Sequence, residues 1–103
     1  MEISKSDESR YRQEVKQGVD VFHKSFEGAA KTKDFPEKKG LFEKATREAM
    51  QSIDDAAKAL MNKELLAQKE KLQKDYRHYL EQPTPENREQ VEKDIKGFKE
   101  ILN

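Results

Sequence analysis

The segment Gln82-Pro83-Thr84-Pro85-Glu86-Asn87 constrains this chain more than any other, because it interrupts a sequence that otherwise carries helical periodicity from end to end. Pro83 has no amide hydrogen with which to continue the helix arriving through Tyr76, Tyr79 and Leu80. Thr84 then offers a side-chain oxygen to cap a new helix, Pro85 has the fixed φ suited to a first helical position, and Glu86 sets negative charge at the positive end of the new dipole. The chain turns back on itself here. The apolar stripes on either side of the turn must therefore meet.

Those stripes define the segments. A first helix is expected over about residues 6–28, with Ser6, Asp7 and Glu8 as cap and first-turn charge, and with Tyr11, Val15, Val19, Phe22 and Phe26 along one face. Gly18 lies beside that face, where it permits close approach of another helix. Residues 31–40, KTKDFPEKKG, form a connection in which Pro36 marks the start of the next helix. From residue 37 to residue 81 no proline intervenes. Ala45, Ala49, Ile53, Ala56 and Leu60 carry the first half of that run, and Met61, Leu65, Leu72, Tyr76 and Tyr79 the second. A last helix over 85–102 has Val91, Ile95, Phe98 and Leu102 on one face.

The expected fold is all-α, with three helices (about 6–28, 37–81 and 85–102) arranged as two antiparallel helical hairpins that share a long central helix. The alternative is a four-helix bundle, formed if the central helix breaks near Asn62. The straight helix is preferred because Ala59 to Leu66 contains neither glycine nor proline; it would reach roughly 65 to 70 Å at 1.5 Å per residue. The whole chain, 1–103, reads as one domain, with residues 1–5 as a disordered N-terminus.

Composition supports the class and narrows the setting. Ala, Glu, Lys, Leu and Arg make up 50 of the 103 residues, the bias of long helices. The 21 basic and 21 acidic residues cancel, which argues against disorder by charge repulsion. Cysteine is absent, so neither disulfides nor thiolate chemistry is available. The opening MEISKSDESRYR is polar where a signal peptide would be apolar, and no run approaches a membrane span. The expectation is a soluble cytoplasmic protein, with export by a route that lacks a cleaved signal left open.

Candidate chemistry is sparse. Asp20 with His23 and Asp75 with His78 each place a carboxylate three residues before a histidine, the spacing of helical-bundle metal sites. At about 100 degrees per residue, however, Asp20 and His78 fall on outward faces while His23 and Asp75 fall at the boundary. No metal or other cofactor is expected. The serines, Ser25 and Ser52 among them, have no histidine beside them in sequence, and Asp54 and Asp55 point in different directions as solvated charges. No enzyme is expected.

Partners are left. Lys31, Lys33, Lys38 and Lys39 make the first connection net positive, but Asp34 and Glu37 interrupt them, so the pattern does not favour nucleic acid. The first helix has Phe22 and Phe26 but balances its basic residues with acids, so a partner helix suits it better than a membrane surface. Phe22, Phe26, Tyr76 and Tyr79 are large for so slim a fold, and aromatic side chains are favoured where helices bury a groove against another chain. The expectation is a small non-enzymatic protein-interaction module, such as an adaptor, secretion chaperone or regulatory inhibitor. It would work by helix-in-groove packing on a partner protein, or by self-association into a homodimer or coiled coil, through those four residues. The alternatives are a nucleic-acid-associated regulator using the 31–39 loop and a helical-bundle metal-binding protein.

Overall fold

The computed structural model describes residues 4–103 and holds four helices: α1 (Lys5–Lys31), α2 (Pro36–Leu60), α3 (Lys63–Glu81) and α4 (Pro85–Leu102). Helix α1 begins slightly before the expected start. Ser4, rather than Ser6, is its cap and accepts from the Asp7 amide at 3.2 Å. Of the five residues expected to be disordered, 1–3 lie outside the described residues, while Ser4 caps and Lys5 opens the helix. At its other end Thr32 donates its hydroxyl to the Gly28 carbonyl at 2.8 Å, and Pro36 starts α2 where the sequence places it.

The all-α class is correct, but the single central helix over 37–81 is not. It is two helices, broken at Met61-Asn62 as in the alternative arrangement. The absence of glycine and proline did not protect it. Met61 enters the left-handed region at φ 54°, ψ 32°, a conformation that costs an ordinary residue about 1–2 kcal/mol. Asn62 offsets this by accepting from the Leu65 amide at 3.0 Å, an N-cap worth about 1 kcal/mol. Beyond the corner, Lys69 of α3 reaches back to Asp54 of α2 at 2.8 Å. Bending also allows the α3 stripe to be buried, and the molecule is 48 Å long, shorter than the straight helix alone would be.

The helices run alternately up and down. Ser25 opposite Thr46 and Gly18 opposite Ile53 set α1 antiparallel to α2. Asp54 opposite Lys69 does the same for α2 and α3, Gln68 opposite Asp94 for α3 and α4, and His23 opposite Lys99 for α4 and α1. Helices α1 and α3 are thus parallel and diagonal, and aromatic rings span the distance between them. Phe22 meets Tyr76 edge to face at 5.3 Å, and Phe26 meets Tyr79 at 5.0 Å. The expected stripes all contribute to one core, with Val15, Val19, Ile53, Leu65, Leu72, Val91, Ile95 and Phe98 sealed from water.

The turn at residues 82–87 forms as its sequence dictates. Thr84 accepts from the Asn87 amide at 3.1 Å, Pro85 is the first residue of α4, and Asn87 donates its side-chain amide to the Gln82 carbonyl at 2.8 Å.

Gly18 is a point of close approach between α1 and α2. A β-carbon there would stand 2.8 Å from Ile53 Cγ1, while one at Gly40 would meet nothing within 4 Å. Alanine gains about 1 kcal/mol of helix propensity at either position, but at Gly18 overpacking of about 1–3 kcal/mol opposes it. Gly18→Ala is expected to lower the urea midpoint and Gly40→Ala to raise it. Stabilisation by both substitutions would mean that α1 and α2 are not in close contact.

Candidate functional site

The four aromatic residues singled out from sequence are brought together at one end of the bundle, by the connections α1–α2 and α3–α4. Phe22 is fully buried inside and Phe26 nearly so. Phe26, Tyr76 and Tyr79 nevertheless present edges to a groove of about 560 Å³, whose floor Leu80 and Pro83 complete. Lys33, Lys39 and Arg88 stand around it together with Glu43, Glu89 and Glu92. Leu80 is 47% exposed, and Phe35, on the nearby connection, 58%. Burial raises the Tyr76 hydroxyl above its usual pKa, and the Glu43 carboxylate adds to the shift, so the phenol stays neutral.

Of the loop lysines, Lys33 and Lys39 line this groove and Lys38 sits 5.2 Å over the Phe35 ring. The acids on the same rim balance them. A groove of mixed charge with an apolar floor suits a side-chain-rich ligand better than a phosphate backbone.

The two carboxylate and histidine pairs do not assemble. Asp20 is exposed and pairs with Lys24 at 3.3 Å, and His78 is exposed on α3. His23 instead meets Glu27, one turn further along α1, at 2.9 Å from its Nε2, with Glu92 of α4 completing a close group of three. Sequence inspection missed this group because Glu92 joins it only through the fold. Arg88, one turn earlier on α4, lies 3.8 Å from Glu92.

Two buried polar arrangements were likewise invisible in one dimension. Ser25 and Thr46 join their hydroxyls at 2.7 Å between α1 and α2. Asp54, expected to be a solvated charge, lies at the α2–α3 corner between Lys69 at 2.8 Å and Lys58 at 2.9 Å. Lys69 first, and then Lys58, hold its carboxyl below the usual range.

Asp94 is the opposite case. It is 1% exposed, Lys71 stands 3.6 Å from its Oδ1, the Gln90 amide only 3.4 Å away, and its Oδ2 has no hydrogen-bond partner. Burial first, and then the facing carboxylate of Asp75, push its pKa up to about 7. A proton on Asp94 would give Asp75 a donor and remove one of two adjacent negative charges.

Comparison of the chain with protein-family models, curated proteins and solved structures finds no match. No helix among the described residues is long and apolar enough to cross a membrane.

The raised pKa of Asp94 fixes the sign of a pH effect. An unfolded aspartate titrates near 3.9, so between about pH 4 and pH 7 the native chain holds the extra proton, and stability falls as pH rises through that window. The wild type is expected to be more stable at pH 5 than at pH 8, with Asp94 contributing on the order of 2 kcal/mol to the difference. Asp94→Asn, which keeps the shape and stays neutral, should flatten the profile and exceed the wild type at pH 8. Urea midpoints across this range decide it, and an unchanged slope in the variant would assign the effect to other groups.

Proposed function

We propose that this protein is a small non-enzymatic interaction module that receives an amphipathic helical segment of another protein in the end groove. The supporting observation is the groove itself. Its aromatic and aliphatic floor of Phe26, Tyr76, Tyr79, Leu80 and Pro83 is ringed by charges of both signs, the arrangement of apolar anchor and polar rim that helix-in-groove recognition uses. The mechanism differs in one respect from simple exposure of the stripes. Phe22 and most of Phe26 and Tyr76 are already committed to the core, so they support the floor rather than enter the partner. Leu80 and the outer edge of Tyr79 make the contact, and the charged rim sets the register of the incoming helix.

An adaptor, a secretion chaperone and a regulatory inhibitor all operate in this way. The lack of cysteine and of a membrane-spanning helix among the described residues is compatible with work in the cytoplasm. A second copy of the chain is the alternative occupant, since each copy offers half-exposed helical apolar residues of its own, Val21 and Leu80. The balanced rim of Lys33, Lys39 and Arg88 against Glu43, Glu89 and Glu92 favours protein over nucleic acid in either arrangement.

Leu80→Glu places a charge on the floor without opening the core, because the residue is half exposed. The tagged wild type is expected to retain a protein from the native cell that Leu80→Glu releases, with the thermal midpoint of the bundle unchanged. Light scattering at tens of micromolar separates the two occupants, because a mass that doubles for the wild type alone identifies a homodimer. Identical capture and identical mass for both proteins would overturn the reading.

A further inference from the structure

The group made by His23, Glu27 and Glu92 has a geometry of its own. His23 and Glu27 are four residues apart on α1 and so lie on one face, and Glu92 approaches from α4. One ligand atom from each, the imidazole nitrogen and two carboxylate oxygens, lies within 4.8 Å of the others, with His23 Nε2 and Glu27 Oε1 at 2.9 Å. Tetrahedral zinc with bonds of about 2.0–2.1 Å sets its ligand atoms about 3.3 Å apart, so small side-chain rotations would close the triangle. The side chains of His23 and Glu27 are 30% and 39% exposed, which gives an ion a way in and leaves room for water as a fourth ligand.

We propose that His23, Glu27 and Glu92 bind a divalent transition-metal ion, for which Zn²⁺ is the probe of best fit. The two carboxylates neutralise its charge, and the imidazole favours zinc over magnesium or calcium. Lys99 tempers the affinity. Its ammonium, which only donates, lies 3.3 Å from His23 Nδ1, so Nδ1 accepts and Nε2 carries the proton that faces Glu27. The ion displaces that proton and must tolerate the ammonium behind the ring, where metal-bound histidines ordinarily have an acceptor. Arg88, 3.8 Å from Glu92, is a second and weaker competitor. The bound ion ties α1 to α4, a seam that side-chain hydrogen bonds cross only at Arg12 to the Ile101 carbonyl, at 3.5 Å, and at His23 with Lys99 among the described residues.

Calorimetric titration of the metal-free chain with Zn²⁺ is expected to give one site per chain and a rise in thermal midpoint, because only the folded chain presents all three ligands. His23→Ala and Glu92→Gln should each weaken binding by about tenfold or more, judged against the 10- to 100-fold losses seen even for outer-sphere partners. Lys99→Met should bind more tightly than the wild type. His78→Ala is the control, since His78 lies exposed on α3 away from the group. Circular dichroism of each variant confirms that it is folded. Unchanged affinity in Glu92→Gln would reduce the site to a helical His and Glu pair and overturn the three-ligand proposal. Loss in His78→Ala, or equal affinity for Mg²⁺, would overturn it as well.

Discussion

The corner at Met61 and Asn62 is the constraint on which the rest of the molecule depends. While residues 37–81 stay in one helix, the shorter α1 and α4 lie along different halves of it and never touch. Once the chain turns there, α3 folds back along α2 and brings α4 against α1, and the diagonal between α1 and α3 becomes the centre of a core. The turn sets one left-handed residue, costing about 1–2 kcal/mol, against an asparagine cap and a buried apolar face. Each apolar side chain sealed by the fold, Leu65 and Leu72 among them, contributes about 1.5–3 kcal/mol relative to exposure. The backbone cost is small beside that gain.

Helix α3 carries the polar consequences. Towards α2 it offers Lys69, which meets the Asp54 carboxylate and lowers that group's pKa; towards α4 it offers Asp75, which meets Asp94 and adds to the rise in pKa that burial causes. The two aspartates therefore respond to acid in opposite directions. Protonating Asp54 removes the charge that holds the corner, whereas protonating Asp94 relieves repulsion in the α3–α4 hairpin. The corner thus keeps its contribution at neutral pH and loses it only as pH falls below about 4, whereas the hairpin loses its own as pH rises from about 4 to 7.

What the sequence made legible was local or periodic. The stop and start at residues 82–87 rest on Pro83, Thr84 and Pro85, whose effects do not depend on distant residues, and the stripes at spacings of three and four identified nearly every core position. Gly18 was recognised as a point of close approach, although its neighbours Ala49 and Ile53 emerged only with the fold. The corner was misjudged because glycine and proline are sufficient causes of a break, not necessary ones. A left-handed methionine has no signature in sequence, and Asn62 signals a cap only once the helix is known to begin there. The buried Asp94 and the His23, Glu27 and Glu92 group were illegible for a related reason. Each takes its character from a side chain 19 or more residues away in sequence, across a turn or a seam.

The two candidate sites occupy the same end of the bundle, and side-chain size gives the reason. Between α1 and α2, Gly18 lets the helices approach closely at Ala49 and Ile53. Towards the connections, Phe22, Phe26, Tyr76 and Tyr79 fill the diagonal with rings 5 to 6 Å apart, which props the hairpins open. Rigid rings that span a diagonal leave the edges of the interface unfilled, and the groove is that unfilled edge. Glu92 lies on both features, lining the groove and completing the group with His23 and Glu27. An ion that draws Glu92 towards α1 also moves one of the charges on the groove rim. The seam between α1 and α4, crossed by few polar contacts, is therefore the place where a small ligand has most leverage over the surface offered to a partner helix.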